Sequence, residues 1–85
     1  MEITIFSNED VVREKFQGKW VNISFLDNKS PFRVFVVSVD NDYEDDNYAG
    51  SAIYYNNSGA NDYADEALPF YQIQSIELSS TQNDN

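Results

Sequence analysis

The run Asp40-Asn41-Asp42-Tyr43-Glu44 sets oxygen ligands at alternate positions, as a calcium-binding loop does at its start. The match ends there. Counted from Asp40, the sixth position is Asp45 where such a loop needs glycine, and the twelfth is Ser51 where it needs a bidentate glutamate. A solvated acidic loop is the simpler reading, and no metal site is expected. Asp45-Asp46 and Asp65-Glu66 are adjacent carboxylates that could in principle act as acid and base. Neighbouring side chains rarely converge on one substrate atom. Carboxylates set among Asn and Ser also keep ordinary proton affinities, whereas a catalytic acid needs an apolar setting. Ser51, within Ala49-Gly50-Ser51-Ala52, has no histidine to activate it, because the chain contains neither histidine nor cysteine. The commonest general base, the thiolate nucleophile, zinc-type ligation and disulfides are all removed with them. The expectation is a protein without catalytic residues, metal or cofactor, and not an enzyme.

Charge and tyrosine carry the stronger signal. The net charge is -10 over 85 residues, and residues 1–33, with five acids and all five bases, are neutral. The whole excess lies in residues 34–85, where no lysine or arginine faces Asp40, Asp42, Glu44, Asp45, Asp46, Asp62, Asp65, Glu66, Glu77 and Asp84. All six tyrosines fall in this same part: Tyr43, Tyr48, Tyr54, Tyr55, Tyr63 and Tyr71. Such a field repels phosphate, so neither direct nucleic-acid binding nor an anionic membrane surface is expected, and it attracts basic proteins. Tyrosine adds rigid contact area with a polar tip, which is enriched at binding hot spots. The candidate partner-binding residues are Asp40, Asp42, Tyr43, Glu44, Asp45, Asp46, Tyr48, Asp62, Tyr63, Asp65 and Glu66. The plainer alternative is that tyrosines cap sheet edges while acids keep a small domain in solution.

The elements that must position these residues follow from periodicity. Residues 3–6 read as a short strand, Ser7 as the cap of a helix running to about Gln17, and Glu9 and Asp10 as acids favoured by its dipole. Val11, Val12 and Phe16 make the apolar stripe, and Gly18 ends the helix. Residues 19–26 alternate Val21, Ile23 and Phe25 against Trp20, Asn22 and Ser24, the mark of a half-buried strand. After a turn at 27–31, residues 32–39 are apolar on both faces and suit a central strand. Residues 40–47 read as an acidic loop or hairpin end, and 48–55 as a returning strand in which Gly50 marks a bulge. Residues 56–66 form a second polar connection with a short helical turn at 62–67. A closing strand carries Leu68, Ile73, Ile76 and Leu78 and is entered through Pro69. One domain over 1–78 is expected, with 79–85 a disordered tail. With no basic leader and no long apolar run, the chain is expected to be soluble and cytoplasmic.

This order predicts an α+β domain: one N-terminal helix packed on a small antiparallel, strongly bent sheet or partly open barrel. The stretch Gly18-Lys19-Trp20-Val21-Asn22-Ile23-Ser24-Phe25, the strand after it and the ending Ile73-Gln74-Ser75-Ile76-Glu77-Leu78 resemble an Sm-like or SH3-like barrel over roughly 60 residues. The basic rim and RNA-contacting residues of the Sm family have no counterpart here. In size, acidity and lack of Cys and His, the chain resembles the small DNA-mimic inhibitors of phages and mobile elements, which block restriction, CRISPR, repair or nucleoid proteins. These share no motif, so no residue carries over. The resemblance implies a partner that is a basic nucleic-acid-binding protein. Extended residues two apart lie about 6.6 to 6.8 Å from one another, comparable to neighbouring phosphates. Asp40, Asp42 and Glu44 are expected to form such a row. The rival expectation is a small-barrel adaptor or assembly component that joins a partner through a sheet edge or apolar patch, and self-association into a dimer stays open.

Overall fold

In the computed structural model, which describes residues 1–27 and 30–79, the first helix α1 spans Glu9–Phe16. Its cap is Asn8, one residue later than the sequence suggested. Asn8 Oδ1 accepts from the amides of Asp10 at 2.8 Å and Val11 at 3.4 Å. Ser7 instead closes the preceding turn, its hydroxyl accepting from the Thr4 amide at 2.8 Å. That turn also replaces the expected strand at 3–6. Only the Glu2–Ser75 bridge forms, and Ile5 and Phe6 face solvent. Val12 and Phe16 are buried, while Val11 is 42% exposed and lies off the apolar stripe. Gly18 takes φ +78, the left-handed conformation that ends a helix without a Cβ penalty.

Five antiparallel strands follow: β1 Trp20–Phe25, β2 Phe32–Asp45, β3 Tyr48–Asn56, β4 Glu66–Pro69 and β5 Ile73–Leu78, in the spatial order β4-β3-β2-β1-β5. The expected α+β fold is the one observed, with one helix on an open, bent sheet. β2 is the central strand, as its two-faced apolar pattern required. Val34 and Val36 lie on the core side against Val21 and Tyr55, while Phe35 on the other side meets Trp20 edge to face at 5.6 Å. The core gathers Ile3, Val12, Phe16, Val21, Ile23, Val34, Val36, Val39, Ile53, Leu68, Phe70, Ile73 and Ile76.

Of the two readings of residues 40–47, loop or hairpin end, the second is the one observed: residues 40–45 continue β2 into a two-residue turn at Asp46 and Asn47. The segment after β3 departs from the sequence reading. The expected single closing strand is two. β4 ends at Pro69, which cannot donate to a ladder, a 3-10 turn at Phe70–Gln72 redirects the chain, and β5 pairs with β1 at the far edge. Glu66 and Ala67 start β4 rather than a helical turn. Joining opposite edges through three residues demands a strongly bent sheet, and the bend comes from bulges. β2 gains one extra residue against β3 between Val36 and Ser38 and another between Asp40 and Tyr43. The residues of β3 stay in strict alternation, so Gly50 marks no bulge of its own. Its role is clearance: a Cβ there would sit 2.5 Å from Tyr48 Oη.

Ser79, assigned to the tail from sequence, is buried. Its amide donates to the Trp20 carbonyl at 3.0 Å, and its hydroxyl accepts from Arg33 Nε at 2.9 Å. The rest of the expected tail, residues 80–85, lies outside the described residues, as do Asn28 and Lys29 of the turn.

Candidate functional site

Strand register decides which candidate residues share a face. Along β3, Ser51 and Ile53 look inward, toward α1 and the core, and Tyr48, Ala52 and Tyr54 look outward. Asp40 lies opposite Ala52 and Asp45 opposite Tyr48, so both belong to the outer face. Glu44, opposite Ala49, belongs to the inner one. The expected row of Asp40, Asp42 and Glu44 on one face therefore does not form, because the bulge between Asp40 and Tyr43 inverts the alternation. Asp40, Asp42 and Asp45 stand on the outer side in its place.

At the hairpin end these acids are held by tyrosines. Asp45 Oδ2 accepts from Tyr43 Oη at 2.8 Å and from Tyr71 Oη at 3.0 Å, while its Oδ1 accepts from the Asn47 amide at 2.8 Å and fixes the turn. The Asn47 amide above all, and then the Tyr43 hydroxyl, hold the Asp45 carboxyl below the usual carboxylate range. The hydrogen bond to Asp45 in turn pushes Tyr43 up to about 12. Desolvation, followed by the bond to Asp42 at 2.9 Å, pushes Tyr54 to about 12 as well. Tyr48 folds back over Gly50, and its hydroxyl accepts from the Ser51 amide at 2.8 Å and donates to the Ser51 carbonyl at 3.1 Å. The rings of Tyr43, Tyr48 and Tyr71 form a continuous patch, with Tyr48 centred 5.0 Å from Tyr71 and 6.3 Å from Tyr43, and Tyr54 joins the face through its bond to Asp42.

Asp62, Tyr63 and Asp65 lie on a separate loop, residues 57–65, built around buried Asn56. The Asn56 Nδ2 donates to the carbonyls of Ala60 at 2.9 Å and Tyr63 at 2.8 Å, and its Oδ1 accepts from the amides of Ser58 at 3.1 Å and Gly59 at 2.9 Å. Gly59, at φ +85, rests against the Trp20 ring, so the loop covers the Trp20–Phe35 end of the outer face. Glu66 follows on β4 opposite Tyr55, whose hydroxyl is shifted upward by burial and by that carboxylate. Asp46 occupies the turn, exposed. The candidates thus fall into two groups, the hairpin end and the loop, rather than one continuous array.

The two arginines are held mainly by other groups. Arg13 on α1 donates from Nε at 2.9 Å and Nη2 at 2.6 Å to the Val39 carbonyl beside the bulges, and it pairs with Glu9 and Asp10. Among the described acids of residues 34–85 it approaches Asp40, at 4.0 Å. Glu9 also accepts from Ser51 Oγ at 2.9 Å, so the expected unactivated serine serves as a tie between helix and sheet. Arg33 stacks over Trp20 with its guanidinium carbon 4.2 Å from the ring centre. Among the described residues, Asp42, Glu44, Asp45, Asp46, Asp62, Asp65 and Glu66 form no ion pair, and no three acids converge as a metal cage. A pocket of about 290 Å³ lined by Phe25, Leu26, Asp27, Tyr71 and Gln72 is at the small end for a ligand site. No helix among the described residues is long and apolar enough to cross a membrane.

Sequence reasoning missed Tyr54 and Tyr71 as members of the hairpin-end patch, and Asn56 as the organiser of the loop. The tyrosines were visible in the acidic half, but only the register puts them beside Asp42 and Asp45. Asn56 did have a signal in Asn56-Asn57-Ser58-Gly59, where an Asx side chain precedes a glycine. Comparison of the chain with protein-family models, with curated proteins and with solved structures finds no match in any of the three.

Proposed function

We propose that this chain is a non-enzymatic acidic binding protein that imitates nucleic acid and occupies the basic DNA- or RNA-binding surface of a partner protein, acting as an inhibitor. One observation carries the reading. Seven carboxylates of the second half lack an ion pair among the described residues, and on the outer hairpin face Asp42 and Asp45 are fixed in place by tyrosine hydroxyls. Unneutralised charge destabilises a small domain through self-repulsion, so a solubility role alone is a poor account of it. Carboxylates held in place before binding lose little freedom on meeting a cationic groove, and the groove's own counterions are released.

The rival, an adaptor that pairs through a sheet edge, finds less support in the geometry. The outer side of β5 is covered by the N-terminal segment, through Ile3 N to Gln74 O at 3.0 Å and Ile76 N to Met1 O at 2.9 Å. β4 offers four residues and ends in proline, so neither of the two outermost strands of the sheet is a long template.

The test is to immobilise the chain, load a bacterial lysate, and elute with double-stranded DNA. The reading expects a nucleic-acid-binding protein released by DNA, whose affinity falls steeply as ionic strength rises. Partners that survive both DNA and salt would move the assignment to the adaptor.

A further inference from the structure

On the outer hairpin face every tyrosine hydroxyl is already committed. Tyr43 and Tyr71 donate to Asp45, Tyr54 to Asp42, and Tyr48 to the Ser51 backbone. What its tyrosines and aspartates still offer is ring surface and carboxylate lone pairs, which are acceptors. Among the described residues, no lysine or arginine pairs with Asp42 or Asp45. The complementary group is flat, cationic and made only of donors, which describes a guanidinium. An ammonium satisfies a carboxylate equally well but has no plane to lay on a ring. The same outer sheet face shows this chemistry within the chain, where Arg33 lies 4.2 Å over Trp20.

Resting on the reading of the chain as a binder of basic proteins, we propose that the Tyr43–Tyr48–Tyr54–Tyr71 face docks an arginine-bearing segment of the partner and selects arginine over lysine. The acids on the 57–65 loop then act at longer range. They speed encounter without discriminating between the two cations.

Two peptides of equal length and charge, alternating arginine with glycine or lysine with glycine, are titrated into the intact chain by calorimetry at one moderate salt concentration. Ring resonances are followed by NMR in parallel. The arginine peptide is expected to bind about tenfold more tightly, the effect of stacking on about two rings, with shifts centred on Tyr43, Tyr48, Tyr54 and Tyr71. Tyr54→Leu should erase most of that preference and Tyr54→Phe, which keeps the ring, should retain it. If the leucine variant does not fold, the peptide comparison on the unaltered chain decides alone. Equal affinity for the two peptides, or shifts concentrated on residues 57–65, overturns the proposal. The two readings separate cleanly: a DNA-displaced partner without arginine preference sinks only this inference, whereas arginine preference without any DNA-displaced partner sinks only the nucleic-acid mimicry.

Discussion

Asn56→Ala is the perturbation whose cost can be worked most fully. The side chain is completely buried and makes four hydrogen bonds, to Ser58, Gly59, Ala60 and Tyr63. Each such bond contributes about 1 kcal/mol net, and a partner left both buried and unpaired costs about 1–3 kcal/mol. The freed carbonyls and amides sit on a surface loop and can be rehydrated once it opens, so the full orphan penalty does not apply. The estimate is therefore about 2–4 kcal/mol, a large share of what a domain of this size possesses. At about 4–8 °C per kcal/mol, the melting temperature should fall by about 8–32 °C. Denaturant titration gives the free energy, and amide exchange shows where it is lost. Ser58 and Gly59 should lose protection first, and the indole of Trp20 should gain solvent as Gly59 lifts away. Asn56→Asp keeps the two acceptor contacts but sets a carboxylate against two carbonyls, so it should be at least as damaging at neutral pH. A loss under about 1 kcal/mol with unchanged protection at Ser58 and Gly59 would refute the claim that this side chain builds the loop.

Four further outcomes follow from the same geometry. Gly50→Ala must displace the Tyr48 ring, and a cost of about 1–2 kcal/mol is expected. It should be strongly non-additive with Tyr48→Ala in a double-mutant cycle, and additive costs would contradict the clearance role. The lowered pKa of Asp45 means that its contribution is present at neutral pH and is lost as pH falls through its folded value. Tyr43→Phe should move that titration upward, as followed by NMR of the carboxyl carbon. Tyr43 and Tyr54, raised to about 12, contribute stability below their ordinary pKa near 10 that is lost as pH climbs from there to about 12; absorbance titration should show both ionising late, and Asp45→Asn should bring Tyr43 back down. Finally, the melting temperature should rise between low and moderate salt, and a flat response would mean that the unpaired acids are too dispersed to repel one another.

The fold was legible because its determinants are local or periodic. Gly18 ended the helix, the alternation of Val21, Ile23 and Phe25 gave a half-buried strand, and residues 32–39, apolar on both faces, pointed to the centre of the sheet. What failed or stayed open did so for identifiable physical reasons. Residues 40–47 read by composition as either loop or hairpin end, and cross-strand pairing with β3 decides for the hairpin, a tertiary effect that propensity does not carry. The face assigned to Glu44 depended on counting by twos, and a single bulged residue between Asp40 and Tyr43 reverses that count. Ser7 and Asn8 are both good caps, and nothing short of backbone geometry distinguishes them. For the site, the chemistry of its members was readable from the acidic, tyrosine-rich half of the chain. Its division into a hairpin face and an Asn56-centred loop was not, because the contacts of Asp45 with Tyr71 and of Asn56 with its loop exist only once the strands are in register.

The most direct test of the central claim is competition. A nucleic-acid-binding protein recovered on the immobilised chain is titrated with duplex DNA across a range of salt concentrations. The account predicts mutually exclusive binding of the chain and DNA, with log affinity for the chain falling linearly as log salt rises. Simultaneous binding of DNA and the chain, or an affinity indifferent to salt, would contradict it.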